Sequence, residues 1–441
     1  MQLNKKHKQV QSVRSKLALA TCSLLQVTSQ SAQAGEDQWK IDADLLIYSE
    51  SDSRVSLVEP VVNMEKGIGE DDSINIRIIT DSITGSTPNG ALPTNTGVQT
   101  FTNPSGKSIY TTAAGKNPLN STFRDQRTAI SVDYTQALSR LSRITWGLNA
   151  NKEYDYSAFG GSATYQQEFN NRNSTLTVGV GTSSDTWFPV GDKNTEFAPM
   201  IDGSQTTTAQ PKGGEDTKTT TDFMVGWTQI INRSTLMQFN LGMSNSSGYL
   251  TDPYKIISVV DINGNPDNTG LGANSFPYLY EKRPDSRSRK TFFWKGVHHL
   301  TEDVINLSYR YFTDDWGIKS HTLDFHYRYE LNGGSYLQPH LRYYSQTAAD
   351  FYQHSVLNPT STGTALPEFA SNDYRLGEFV TTTMGLKYAM PVGKDSEFSM
   401  RLELMNQTYN TVGTLYGQQN TLELTPDLNA TIIQFGYSLY W

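Results

Sequence analysis

The sequence predicts an all-β fold: a transmembrane, antiparallel, up-and-down β-barrel of about sixteen strands, with long extracellular loops and short periplasmic turns. Three observations predict it. The chain ends Ala430-Thr431-Ile432-Ile433-Gln434-Phe435-Gly436-Tyr437-Ser438-Leu439-Tyr440-Trp441, and stepping back by twos from Trp441 collects Leu439, Tyr437, Phe435, Ile433 and Thr431 on one face. That period is a strand with unlike faces, and a last strand carrying Tyr437 and closing on Trp441 suits the aromatic girdle of a barrel. Next, 24 Tyr, 18 Phe and 7 Trp coexist with a polar mean hydropathy of −0.51. A barrel reconciles the two, because only alternate residues face lipid and the lumen stays wet. Finally, the connections between candidate strands sort by length onto two sides.

The N-terminus has the form of an export signal. Lys5, Lys6, Lys8, Arg14 and Lys16 make a basic region, Leu17 to Val27 a short apolar one, and Ala32-Gln33-Ala34 a small-x-small cleavage site, so the mature chain is expected to start at Gly35 after cleavage at Ala34. Cys22, after Leu19-Ala20-Thr21, allows a competing lipoprotein reading, but Thr21 is large for that position. With the leader gone the chain has no cysteine, hence neither disulfide nor thiolate chemistry. The expected domains are the signal peptide, 1–34, and a single barrel, 35–441. The mature chain carries 31 Lys+Arg against 44 Asp+Glu, a net −13. Such a balance lacks the basic footprint of a nucleic-acid binder. No apolar run approaches the length of a membrane helix.

The strands follow in order. Trp39 to Tyr48 sets Trp39, Ile41, Ala43, Leu45 and Ile47 against Lys40, Asp42 and Asp44, and Trp39 is placed with Tyr437 and Trp441 at the membrane interface. Val55 to Met64 contains Pro60, where a bulge or local break is expected because proline cannot donate to the ladder. Ser73 to Ser82 turns Ile74, Ile76 and Ile78 outward and Asn75, Arg77 and Asp81 inward. Arg127 to Leu138 and the strand bearing Ile144, Trp146, Leu148 and Ala150 come next. Two hairpins, 157–182 and 219–244, turn at Asn170–Asn173 and Asn232–Ser234. Arg289 to Leu300 is aromatic and hard to phase. Alternation is then clear in strands carrying Ile305 to Tyr311, Leu323 to Leu331, Leu337 to Tyr343, Val380 to Tyr388 and Phe398 to Leu404.

With a periplasmic N-terminus, every second connection must be short. These are Glu65 to Asp72, Ser139 to Arg143, Asn170 to Asn173, Ile231 to Ser234, Thr301 to Asp303, Asn332 to Gly334 and Pro391 to Ser396. The long connections, Ile83 to Gln126, Ser183 to Lys218, Asn245 to Ser288, Gln346 to Gly377 and Thr408 to Asn429, all fall on the other side. The first strand starts about five residues after the leader, which leaves no room for an N-terminal plug of the energy-coupled siderophore type.

Several segments resemble one bacterial family, the domain of unknown function 3570 family. They are Asp81 to Ala91, Gly248 to Lys255, Arg283 to Arg287, Tyr343 to Tyr352 and Asp373 to Gly377, spread through essentially the whole mature chain. The resemblance implies a Gram-negative outer-membrane barrel with no settled activity. Most of these segments fall on loops or outer strand ends, where functional residues concentrate. Asp252, Pro253, Tyr254, Arg283, Asp285 and Arg287 are therefore candidates for binding a solute or partner at the mouth; the alternative is that they shape turns and brace the loops to one another.

The candidate lumen-lining charges are Arg77, Asp81, Arg127, Asp133, Arg310, Asp324, His326, Arg328, Glu330, His340, Arg342, Arg401 and Glu403. Facing charges either filter ions and polar solutes or form a cross-strand ion-pair lattice. His326 and His340 can meet across the Gly333-Gly334 hairpin, but the sequence offers no evident third ligand, so no metal is expected. The Asp261 to Asn268 stretch alternates oxygen ligands like a calcium loop, yet Pro266 stands at the glycine position and Gly272 at the closing-Glu position, which favours an ordinary turn. No Ser/His/Asp set assembles, and neither enzymatic activity nor a cofactor is expected. The functional expectation is a porin-like channel for small polar solutes or ions, embedded in outer-membrane lipid. The alternative is a non-conducting scaffold docking a periplasmic or surface protein.

Overall fold

The computed structural model describes residues 38–441 apart from Ser53, Thr96 and 206–209, and leaves the side chains of 121–123 undescribed. The signal peptide and the Ala34–Gly35 cleavage site lie outside the described residues.

Sixteen antiparallel strands close into one barrel, each hydrogen-bonded to its sequence neighbours within the barrel. They are β1 (Trp39–Glu50), β2 (Ser56–Ile68), β3 (Asp72–Pro88), β4 (Leu119–Ser139), β5 (Ser142–Lys152), β6 (Tyr156–Phe169), β7 (Ser174–Trp187) and β8 (Asp216–Asn232), followed by β9 (Thr235–Gly248), β10 (Ser286–His299), β11 (Val304–Asp314), β12 (Lys319–Glu330), β13 (Tyr336–Gln346), β14 (Glu378–Pro391), β15 (Ser396–Asn410) and β16 (Leu428–Tyr440). The seam runs from Lys40↔Tyr440 to Glu50↔Ala430, and Trp39 and Trp441 exchange backbone hydrogen bonds of 2.7 and 2.8 Å at its end. Closure leaves no strand edge, the condition for a sheet to sit in hydrocarbon.

The outer surface is apolar where the alternation predicts. Ile78, Ile130, Leu148, Val178, Val225, Leu241, Leu323, Leu386 and Leu402 are all exposed, each on a different strand. Exposed aromatics accompany them, including Trp146, Phe223, Tyr343 and Tyr437, while Trp441 is 74% exposed. A soluble protein would bury such residues; a membrane barrel turns them to lipid.

At Pro60 the expected interruption takes the form of a local break and not a bulge: the β1–β2 register runs unbroken through Leu45↔Pro60. The β2–β3 pairing merely lapses between Val58↔Ser82 and Val61↔Ile79 and resumes in the same register, because only the missing N–H is lost. β3 and β4 are also longer than expected, 17 and 21 residues, and extend past the apolar band on the long-loop side. Their extensions were invisible to an alternation criterion, since strand that stands clear of lipid has no reason to keep one apolar face. Arg289 to Leu300, hard to phase, is resolved by register: Phe292 opposes Leu241 and Trp294 opposes Phe239, both outward.

The long loops build a second body over one end of the barrel. Residues 199–201, 275–280, 256–260 and 355–357 form a four-stranded sheet in that order, its last pair parallel. This sheet takes chain from three separate connections. It packs Phe101, Met200, Ile256, Tyr278 and Tyr280 on one side, and Ile257, Val259, Leu279, Val356 and Ala370 on the other. A third cluster, Trp316, Ile318, Ala349, Tyr352 and Leu376, seats the cap against the strand ends. The conventional hydrophobic core of this molecule is thus in its loops.

Candidate functional site in the barrel lumen

Beneath the cap lies a cavity of about 500 Å³. Its wall comes from strands on opposite sides of the ring, including Tyr48 on β1, Asp222 on β8, Arg310 on β11 and Met405 on β15, and its roof from cap residues such as Arg283, Tyr374 and Arg375. Cations predominate on the lining: Lys218, Arg283, Arg287, Arg289, Arg310, Arg342 and Arg375 against Asp185, Asp222 and Asp373. Lys218 pairs with Asp185 at 2.6 Å and Arg287 with Asp314. Arg289 is held by the hydroxyls of Ser244 and Ser246, at 2.7 and 2.8 Å, so its charge is not cancelled by those partners. Arg342 is half exposed, 3.9 Å from Asp324.

The expected lumen charges divide into separate groups. Asp81 and Arg127 face each other in register on β3 and β4 and pair at 2.5 Å; Arg127 also reaches Glu59 at 3.1 Å. Glu59, beside Pro60, was missed because that segment of β2 has no clean alternation. Asp133 sits lower on the same wall, where Gly147 leaves space beside its carboxylate. Arg77 lies between them on β3, its Nε buried without a hydrogen-bond partner.

Across the ring, Asp324 and His326 on β12 meet His340 on β13. Asp324 Oδ1 is 2.8 Å from His326 Nε2, and Oδ2 is 3.2 Å from His340 Nε2. The rings lie parallel, 4.1 Å apart. His340 Nδ1 is 2.8 Å from Glu403 Oε1 on β15, two strands away. The intervening residue is Gly385, in register with both. A Cβ there would meet Glu403 Cγ at 2.6 Å, so the bare backbone is what lets the carboxylate cross. Arg401 stands 3.6 Å from Glu403. A third potential donor that was not evident in the sequence stands beside the two histidines: Asp324, two residues from His326 on the same face, with the three donor atoms within 4.8 Å of one another. Arg328 and Glu330 pair with each other at 2.5 Å near the short turn, with Arg328 stacked on Tyr336, and neither lines the cavity.

The loop motifs converge in the cap as a buried ion network. Arg283 reaches Glu281 at 2.6 Å and Asp373 at 2.8 Å; Arg375 reaches Asp252 at 2.9 Å and also binds Asp373. Lys255 lies buried beside them and donates to the carbonyl of Pro88. Three acids and three bases therefore balance where solvent is excluded, as buried charges require. Burial opposes ionisation of Asp373, but Arg375, Lys255 and Arg283 outweigh it and hold its carboxyl well below the usual range. Burial pushes the Lys255 ammonium down to about 8. Tyr254 donates to Asp155 at 2.5 Å, and the Pro253 carbonyl accepts from Asn194 at 3.0 Å. Asp285 contributes its backbone carbonyl, to Gly248 N–H at 2.8 Å. Arg287 stacks 4.3 Å over Trp316. These residues brace loops to one another and to the barrel rim. Asp261, the first residue of the suspected calcium loop, spends Oδ1 on the N–H groups of Asn263 and Asn265, at 2.8 and 2.9 Å, as an ordinary Asx turn does.

Fold and lumen together define a transmembrane β-barrel of the outer-membrane type. The chain belongs to the family described as protein of unknown function DUF3570, whose model matches residues 14–439. Among solved structures it is similar to a bacterial polysaccharide outer membrane secretin, with 7% identity and a TM-score of 0.44 over 92% of this chain and 99% of that one. It is also similar to OccK3 (OpdO) of Pseudomonas aeruginosa, with 9% identity and a TM-score of 0.39 over 92% and 96%. A third likeness is to the CymD monoaromatic hydrocarbon channel, with 6% identity and a TM-score of 0.39 over 92% and 89%. No curated protein matches the sequence.

Proposed function

We propose that the protein is a porin-like channel of the Gram-negative outer membrane, exported by its N-terminal signal peptide, that passes small polar solutes with a preference for anions. The observation that carries this reading is the cavity inside the barrel, whose wall presents Arg289, Arg310 and Arg342 from β10, β11 and β13 among apolar side chains such as Phe293, Phe312 and Met405. A confined space lined by an excess of one charge sign concentrates counter-ions and orders which solutes enter. Purified mature protein in a planar bilayer should give discrete conductance steps with a reversal potential displaced toward anion selectivity under a salt gradient. A silent bilayer with correctly folded protein would sink the channel reading. The scaffold reading draws support from the cap, whose loops are locked by buried ion pairs across the barrel end. It expects no conductance and a protein partner retained through purification in mild detergent.

A further inference from the structure

The Asp324–His326–His340 cluster has a feature that a lumen ion-pair lattice does not need. His340 is held from both ends, Nδ1 by Glu403 and Nε2 by Asp324. A carboxylate that accepts a hydrogen bond from the Nδ1–H of an imidazole fixes its tautomer and leaves the Nε2 lone pair for a metal, the arrangement that supports metal-binding histidines. Here the supporting carboxylate comes from two strands away, over the gap at Gly385. We infer that Asp324, His326 and His340 bind one divalent transition-metal ion on the lumen wall, with Glu403 as the positioning residue for His340.

Two imidazole nitrogens and one carboxylate oxygen suit zinc, nickel or copper and not calcium or magnesium, which prefer all-oxygen shells. Tetrahedral donors bound at about 2.0–2.1 Å stand roughly 3.3 Å apart. Asp324 already places its oxygens 2.8 and 3.2 Å from the two Nε2 atoms. An ion entering here replaces the protons that the carboxylate now shares with the rings. The parallel rings must tilt toward each other to converge on it. Access is from the lumen: the side chains of Asp324 and His326 are each 20% exposed, leaving the fourth position for water or solute. Arg342, 3.9 Å from Asp324 and half exposed, is among the described residues the cation that competes with the ion at the carboxylate, and it has room to swing away.

The test is metal binding by the full mature protein, refolded in detergent and stripped with chelator, and it needs no conduction. Titration with zinc should show one saturable equivalent, and cobalt(II) should give the visible absorption of a nitrogen-ligated, low-coordinate ion. Asp324→Asn and His326→Gln should each weaken zinc binding at least tenfold, and Glu403→Gln by about ten- to a hundredfold. Arg342→Ala should tighten it, and His298→Ala, on β10 and outside the cluster, should leave it unchanged. Absence of a saturable equivalent in the wild-type protein overturns the proposal, as does affinity that survives Asp324→Asn and His326→Gln. Should a variant fail to fold, the wild-type cobalt spectrum decides alone: oxygen-only coordination rejects the site.

Discussion

Gly385 and Arg127 show how single positions govern the inner wall. Gly385 is a strand residue whose substitution costs more than propensity suggests, because its missing side chain is the route by which Glu403 reaches His340. Gly385→Ala should displace Glu403, break the 2.8 Å contact and destabilise the barrel by about 1–3 kcal/mol, the usual cost of overpacking, read as a lower urea midpoint of the purified protein. Arg127 has the opposite character: it is one buried cation between two carboxylates, Asp81 and Glu59. Arg127→Ala strands both acids and should cost about 3–5 kcal/mol. Arg127→Ala combined with Asp81→Asn and Glu59→Gln should recover much of that loss, since removing every member of a buried ion set is cheaper than removing one. An equal loss in the triple variant would mean that Arg127 acts through packing and not charge.

At the scale of elements, the cap behaves as a folded unit of its own. Its sheet joins three loops, and its ion network ties Asp252 and Arg283 of one loop to Asp373 and Arg375 of another. Arg283→Ala should open the cap to limited proteolysis within 251–284 and 353–373 while heat denaturation of the barrel stays put. Acid should do the same reversibly. His354 is 1% exposed beside Tyr352, and burial pushes its imidazole down to about 4. An exposed ring protonates near 6.5, so between the two values the open cap binds more protons than the closed one. Cap stability therefore rises with pH across that window and is lost as pH falls through it, by about 3 kcal/mol in full. Proteolysis rates at pH 7 and pH 5 should diverge, and His354→Gln should remove most of the difference. The strands on which these loops stand were legible in the sequence, because lipid on one face and water on the other write a period-two pattern such as Leu323, Phe325, Tyr327 against Asp324, His326, Arg328. The cap was not legible. Ile256–Val260 is buried at every residue and has no alternation to read, and its partners lie in other loops at separations that no local pattern encodes. The same limit hid Glu403 as the partner of His340: their meeting depends on Gly385 of the strand between them, which by itself is only a strand glycine.

For the whole molecule, the channel reading assigns stability to the barrel and access to the cap, and that division is testable. The sixteen strands complete their hydrogen bonds with one another, and none of the barrel ladders includes a cap residue. The cap closes the end of the cavity that the barrel wall encloses, with Arg283, Tyr374 and Arg375 over Arg289, Arg310 and Arg342. Removing 251–284 excises the two central strands of the cap sheet, Ile256–Val260 and Ser275–Tyr280, and with them Ile256, Tyr278 and Tyr280 of one hydrophobic cluster and Ile257, Val259 and Leu279 of the other. The strands 199–201 and 355–357 then have no sheet partner, and Asp373 and Arg375 lose Arg283 and Asp252. The expected result is a barrel that still folds and inserts, with single-channel conductance raised several-fold because the constriction at the cap is gone. Selectivity separates the contributions. If the wall arginines set the sign of the preferred ion, the capless barrel keeps its anion preference, weakened as the wider mouth admits more screening salt. Arg289→Ala with Arg342→Ala in the intact protein should instead reduce that preference at nearly unchanged conductance. Conductance unaltered by the deletion would place the solute path away from the cap, and selectivity unaltered by the double substitution would move the filter off the cavity wall.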